Sequence, residues 1–111
     1  MKTTTASLPT AVTDYLAAAN RFAARAAADF FTADATVHDE NQDYTGRDAI
    51  RGWVDETSRK YRPAFTVMRA SSNGDEVDLA VAISGQFPGS PVTLDYHLQL
   101  RAGKIFTLTI E

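Results

Sequence analysis

Asp39 closes a short apolar run, Ala35-Thr36-Val37-His38-Asp39-Glu40. In a strand the side chains alternate, so Ala35, Val37 and Asp39 share one face and Thr36, His38 and Glu40 the other. If the Ala35/Val37 face looks into the core, Asp39 looks in as well. A carboxylate in such a place is either paired or raised in pKa, and a raised pKa suits a general base working near neutral pH. The competing reading stops the strand at His38 and starts a solvated loop at Asp39, and structural ion pairs also perturb carboxylates. Two phenols could work beside such a base. Tyr15 falls on the apolar side of a helical pattern, and Tyr96 is in phase with Val92, Leu94, Leu98 and Leu100, so it can point inward and donate a hydrogen bond. Both also have plain packing explanations.

The elements that must position these groups follow from periodicity. Ser7 is placed to cap a first helix, with Pro9 in its first turn, and Leu8, Val12, Tyr15, Ala19 and Phe22 keep helical spacing. Alanine-rich sequence continues to Phe31 as a second helix, after a break near Asn20 to Phe22; Asp34 ends it and the Asp39 strand follows. The polar stretch Asn41 to Gly46 reads as a loop. A third helix starts at Arg47-Asp48, and Ile50, Trp53, Val54, Thr57 and Tyr61, at offsets 0, 3, 4, 7 and 11, give it one buried face until Pro63 stops it.

Beyond Pro63 the period becomes two. Phe65 to Ala70 is a strand, Asn73-Gly74-Asp75 a hairpin turn, and Val77, Leu79, Val81 and Ile83 the apolar side of the next strand. After the Pro88-Gly89-Ser90-Pro91 turn, the Tyr96 strand alternates its apolar residues with Thr93, Asp95, His97, Gln99 and Arg101. Ala102-Gly103 turns the chain, and Phe106, Leu108 and Ile110 form a last apolar face. Helices first and an antiparallel meander last make an α+β domain with helices on one face of a sheet.

The chain of 111 residues, 44% hydrophobic and 23% charged, suits a single domain over 1–111. Its net charge of −3 and the absence of a basic run argue against nucleic acid as a partner. There is no cysteine, which removes disulfides and thiolate chemistry and fits a reducing compartment. Met1 to Thr10 lacks the apolar centre of a secretory leader, and no stretch is long and apolar enough for a membrane span, so a cytoplasmic location is expected. His38 and His97 are too isolated for a zinc site, and His38, facing away from Asp39, gives no support to a Ser-His-Asp triad. Glu40, Asp43 and Asp48 cluster without metal-ligand spacing; Asp48 suits the start of the third helix instead.

Tyr15 to Asn20, Phe31 to Asp39, Gly46-Arg47-Asp48-Ala49-Ile50-Arg51 and His97 to Ile105, with Gly103-Lys104-Ile105, together resemble the nuclear transport factor 2-like superfamily, also called SnoaL-like or ketosteroid isomerase-like. The resemblance implies a cone-shaped barrel of three N-terminal helices packed on a curved, mostly antiparallel β-sheet. This superfamily hosts isomerases, polyketide cyclases, epoxide hydrolases, dehydratases and proteins that only bind. Tyr15 and Asp39, 24 residues apart (15 to 39), match the helix tyrosine and the proton-transferring aspartate of ketosteroid isomerases. The resemblance thus implies Asp39 as base and Tyr15 as oxyanion donor. Those isomerases carry a second, protonated aspartic acid where this chain has Tyr96; Asp95 is adjacent but faces the other way. The chain runs only to Glu111, so no further segment is expected to cover the pocket mouth.

Two classes of function follow. One is an enzyme that abstracts a proton α to a carbonyl of a hydrophobic cyclic substrate, with Asp39, Tyr15 and Tyr96 at the polar end of a pocket walled by Trp53, Tyr61, Phe31, Phe65, Val37 and Leu98. No metal or organic cofactor is implied. The other is a non-catalytic binding or dimerisation module of the same fold. An epoxide hydrolase-like reading needs an inward arginine between two aspartates. The resemblance also implies a homodimer through the outer sheet face that bears Thr93, Asp95, His97 and Gln99; a solvated sheet face is the alternative.

Overall fold

The computed structural model describes residues 8–111, so Ser7, the expected cap, lies outside the described residues. Helix α1 (Thr10–Asn20) starts after Pro9, which occupies the cap position itself, without a side-chain capping bond. It buries Val12, Tyr15, Leu16 and Ala19. At its end the Ala23 N–H reaches Ala18 O, the Phe22 N–H reaches Ala19 O, and Phe22 adopts φ +60°. That left-handed stop satisfies the last carbonyls and breaks the helix where the sequence analysis expected it. The Asn20 side chain then clamps α1 to the sheet: its amide donates to Phe65 O at 3.1 Å and its carbonyl accepts from Phe65 N at 2.7 Å.

Helix α2 (Ala24–Ala28) is one turn long, and strand β1 (Phe31–Asp39) begins at once. The expected continuation of helix to Phe31, with the strand starting after Asp34, is corrected. Alanine is a strong helix former, but tertiary burial overrides propensity, and Phe31 is fully buried in register with Ile105. A second correction concerns Asn41 to Gly46, which is not a loop. Gln42–Thr45 forms strand β2, joined to β1 by a two-residue turn in which Glu40 and Asn41 have φ of +53° and +64°. A turn of this hand matches the strand twist.

Helix α3 (Arg47–Tyr61) packs Ile50, Trp53, Val54 and Ser58 inward. It ends on Arg62 in a left-handed conformation, whose N–H bonds Ser58 O at 3.0 Å, just before Pro63. Strands β3 (Ala64–Asn73), β4 (Glu76–Ser84), β5 (Val92–Arg101) and β6 (Lys104–Ile110) form the meander. The six-stranded sheet has the order β2-β1-β6-β5-β4-β3, antiparallel except for β1 against β6. It curves without closing, leaving β2 and β3 as edges. Irregularities at Phe31/Thr36, Val67/Arg69 and Gln99/Leu100 supply local bends.

The bend at Gln99/Leu100 also shifts the phase of β6. Ile105 is fully buried with Leu108, whereas Phe106, expected on the apolar face with Leu108 and Ile110, is half-buried beneath the Arg101 guanidinium, 4.2 Å from its ring centroid. The core between sheet and helices is built on Val12, Phe31, Val37, Ile50, Leu98 and Leu108. Among the described residues no helix is long and apolar enough to cross a membrane.

Candidate functional site

The alternation of β1 carries Asp39 inward as its neighbours require. Ala35 and Val37 are fully buried, and Asp39, next on that face, lies at the wall of a cavity of about 370 Å³ between the helices and the concave sheet. That volume is within the range of small-molecule sites. His38 takes the opposite face, where its Nδ1 lies 2.6 Å from the Asp43 carboxylate across the β1–β2 pair.

Helix α3 fixes the Asp39 carboxylate. Trp53, on the helix's inward stripe, donates its indole Nε1–H to Asp39 Oδ2 at 3.1 Å. The Trp53 ring is itself backed by Tyr44 of β2, with centroids 6.0 Å apart. Burial pushes the Asp39 pKa up; the Trp53 hydrogen bond, the Glu40 backbone N–H and the nearby His38 pull against that rise without cancelling it. Among the described residues, no lysine, arginine or histidine lines the cavity beside it.

Tyr15 from α1 and Tyr96 from β5 face the same cavity, and each is only 2% exposed. The Tyr15 ring is held edge-on by Phe31, with centroids 5.2 Å apart and planes at 86°. Burial raises both phenol pKa values. The Asp39 charge adds to the rise at Tyr15, and the proximity of Tyr15 and then Asp39 adds to it at Tyr96. Both groups therefore stay protonated as donors through the neutral range. Neither hydroxyl has a hydrogen-bond partner among the described residues. No fully enclosed side-chain oxygen is left unpartnered there either, so both hydroxyls open onto the cavity. The Asp39 carboxylate and the Tyr15 and Tyr96 phenols thus face one largely apolar space, with Glu40 also in its lining.

Of the expected walls, Trp53, Tyr61 and Phe65 line the cavity. Phe31, Val37 and Leu98 do not: they are buried in the core behind it, Phe31 as the support of Tyr15. The remaining apolar lining includes Ile83, Phe87, Val92, Leu94 and Ile110. Val92 and Leu94 were within reach of sequence reasoning, since alternation puts them on the face of Tyr96. Ser58 also lines the cavity and was missed. Its signal was its position four residues after Val54, in line with Ile50 and Val54 on the inward face. The inward arginine that an epoxide hydrolase-like site requires is not in the lining. Among the described residues, no three histidine or carboxylate side chains come together as metal ligands.

The SnoaL-like domain model matches residues 12–108. No curated protein sequence matches the chain. Among solved structures, a candidate polyketide cyclase from Sinorhizobium meliloti is 30% identical, with a TM-score of 0.93 and coverage of 98% of this chain and all of that one. A protein of ketosteroid isomerase-like fold from Catenulispora acidiphila, solved with trimethylamine, is 26% identical at a TM-score of 0.84, covering 95% of this chain and 86% of that one. A computationally designed 17-OHP binder shares the fold at 16% identity and a TM-score of 0.78, over 92% of this chain and 87% of that one. With the family model spanning most of the described residues and the three-helix, six-strand architecture matching these neighbours, the chain belongs to the SnoaL-like family of the nuclear transport factor 2-like superfamily.

Proposed function

We propose that the cavity binds a hydrophobic cyclic carbonyl compound and that Asp39 moves a proton at its α-carbon. The observation that carries this reading is the pair of unpartnered Tyr15 and Tyr96 hydroxyls facing the cavity that Asp39 lines. Asp39 Oδ2 is held by Trp53, which leaves Oδ1 to take the proton. The C–H electron pair becomes the C=C bond of an enolate, and the carbonyl oxygen gathers the negative charge. Tyr15 and Tyr96 donate to that oxygen, which is stronger stabilisation in a water-poor site than in bulk solvent. Protonated Asp39 then returns the proton to the same or a conjugated carbon. Its raised pKa brings the base closer to the carbon acid it must deprotonate. The 30%-identical neighbour described as a candidate cyclase supports carbonyl chemistry in this fold.

Uptake of deuterium at the α-carbon of β-tetralone in D2O, followed by proton NMR, tests the reading without knowledge of the natural product. Wild type should exceed the buffer rate and Asp39→Asn should return to it; equal rates for the two proteins would reject Asp39 as the base.

A second reading, binding without turnover, is favoured by the charge of the lining: Asp39 and Glu40 with aromatic rings and, among the described residues, no cationic side chain. Such a lining suits a small alkylammonium, and the Catenulispora neighbour was solved with trimethylamine. Saturable trimethylammonium binding with no deuterium uptake would favour it. Homodimerisation through the outer face carrying His97 and Asp78, whose side chains lie 2.6 Å apart, is part of the proposal; sedimentation velocity tests it.

A further inference from the structure

Ser58 is the one hydroxyl-bearing side chain among the buried residues Ile50, Trp53, Val54 and Ser58 of α3. It is 5% exposed. Its neighbour Thr57 gives its hydroxyl to the Trp53 and Val54 carbonyls, at 2.8 and 3.2 Å. The Ser58 hydroxyl has no such bond among the described residues. Since no fully enclosed side-chain oxygen there lacks a partner, it opens onto the cavity it lines. A hydroxyl turned to the cavity rather than to the helix backbone is available to a ligand's polar atom, whereas alanine or valine would fill the stripe with no such group. Ser58 stands five residues past Trp53, about 7.5 Å further along the helix axis than the residue that holds Asp39. Pro63 and Phe65 line the cavity with it.

We propose that Ser58 is a specificity-determining residue that hydrogen-bonds a second oxygen function of the ligand, remote from the carbonyl at Asp39. The ligand class is then an elongated, otherwise apolar molecule carrying two oxygen functions, one for the Tyr15 and Tyr96 hydroxyls and one for Ser58. This deepens the proposed function and rests on it for the placement of the first oxygen.

Calorimetric titration of 2-naphthol, 2,6-naphthalenediol and 2,7-naphthalenediol into wild type, Ser58→Ala and Tyr15→Phe tests it, with the melting temperature of each free protein. Wild type should bind at least one diol roughly two- to tenfold tighter than 2-naphthol, the range one hydrogen bond supplies. Ser58→Ala should bind all three alike and melt no lower than wild type. A diol preference that survives in Ser58→Ala overturns the proposal, as does its absence in wild type. A Ser58→Ala protein that melts well below wild type also overturns it, because the serine would then be structural. Tyr15→Phe reads the parent reading separately: it should weaken all three ligands alike. If it leaves them unchanged while Ser58→Ala still erases the preference, the oxyanion site fails and the Ser58 contact stands.

Discussion

Asp34 and Asp39 lie five residues apart on β1, and their surroundings drive them in opposite directions. Asp34 is exposed beside the irregularity in the strand. There it accepts hydrogen bonds from the Arg101 guanidinium and, at 2.9 Å, from the Thr32 hydroxyl. The Arg101 bond, followed by the Thr32 bond, holds its carboxyl below the usual range. Asp39 loses water to the cavity and receives an uncharged indole N–H in place of a cation, so burial wins and its pKa rises. Asp34 combines exposure with a cationic partner and Asp39 combines burial with a neutral one, so the two ends of one strand show what each combination does to a carboxylate. The Arg101–Asp34 pair, at the surface, contributes little to stability by the usual standard of exposed pairs.

The largest expected contrast is in proton transfer. Asp39→Asn should slow deuterium uptake by about 10³-fold, the middle of the range for loss of a general base. Asp34→Asn should leave it within about twofold; a large loss there would mean that strand geometry, not the carboxylate's environment, sets activity. Next, Tyr15→Phe and Tyr96→Phe should each cost about 10²-fold, as removal of one oxyanion donor does, and the loss should appear in kcat rather than KM. A loss confined to KM would make the phenols ground-state anchors.

Trp53→Phe keeps a ring beside Tyr44 but removes the donor that draws Asp39 downward. The base limb of the pH–rate profile should therefore move to higher pH. An unmoved limb would show that the indole bond does not reach the catalytic ionisation.

The smallest effects are on stability against pH, and they have opposite signs. Asp39 binds its proton more tightly folded than unfolded. Its favourable contribution is present below the unfolded pKa and is lost as pH rises through the folded value. Asp39→Asn should therefore melt higher than wild type at pH 7, and that gain should vanish in acid. Asp34 binds its proton less tightly folded. Its contribution is present above the unfolded pKa and is lost as pH falls through the folded value. Asp34→Asn should melt lower than wild type at pH 7, with the difference closing in acid. Thermal melts of the three proteins across this range check both signs.

The inward aim of Asp39 was legible because a period of two leaves no freedom once Ala35 and Val37 are buried. The inward stripe of α3 and the face of Tyr96 were legible for the same kind of reason. What escaped depended on exceptions to a period or on three-dimensional curvature. Strand β2 was hidden because its turn uses Glu40 and Asn41 at positive φ, where glycine would have given the hairpin away. Phe106 was misplaced because the irregularity at Gln99/Leu100 moves Ile105 inward, and nothing local announces it. Phe31, Val37 and Leu98 share the inward side with true cavity residues; only the depth of the concave sheet separates core from wall.

A carbon-13 NMR titration of the aspartate side-chain carboxyls, with Asp39→Asn and Asp34→Asn for assignment, compares both groups in one sample. Asp39 should titrate above the ordinary aspartate value of about 3.9 and Asp34 below it. Asp39 at or below that value would mean that the cavity does not hold a poised base, and the proton-transfer account of this site would fail.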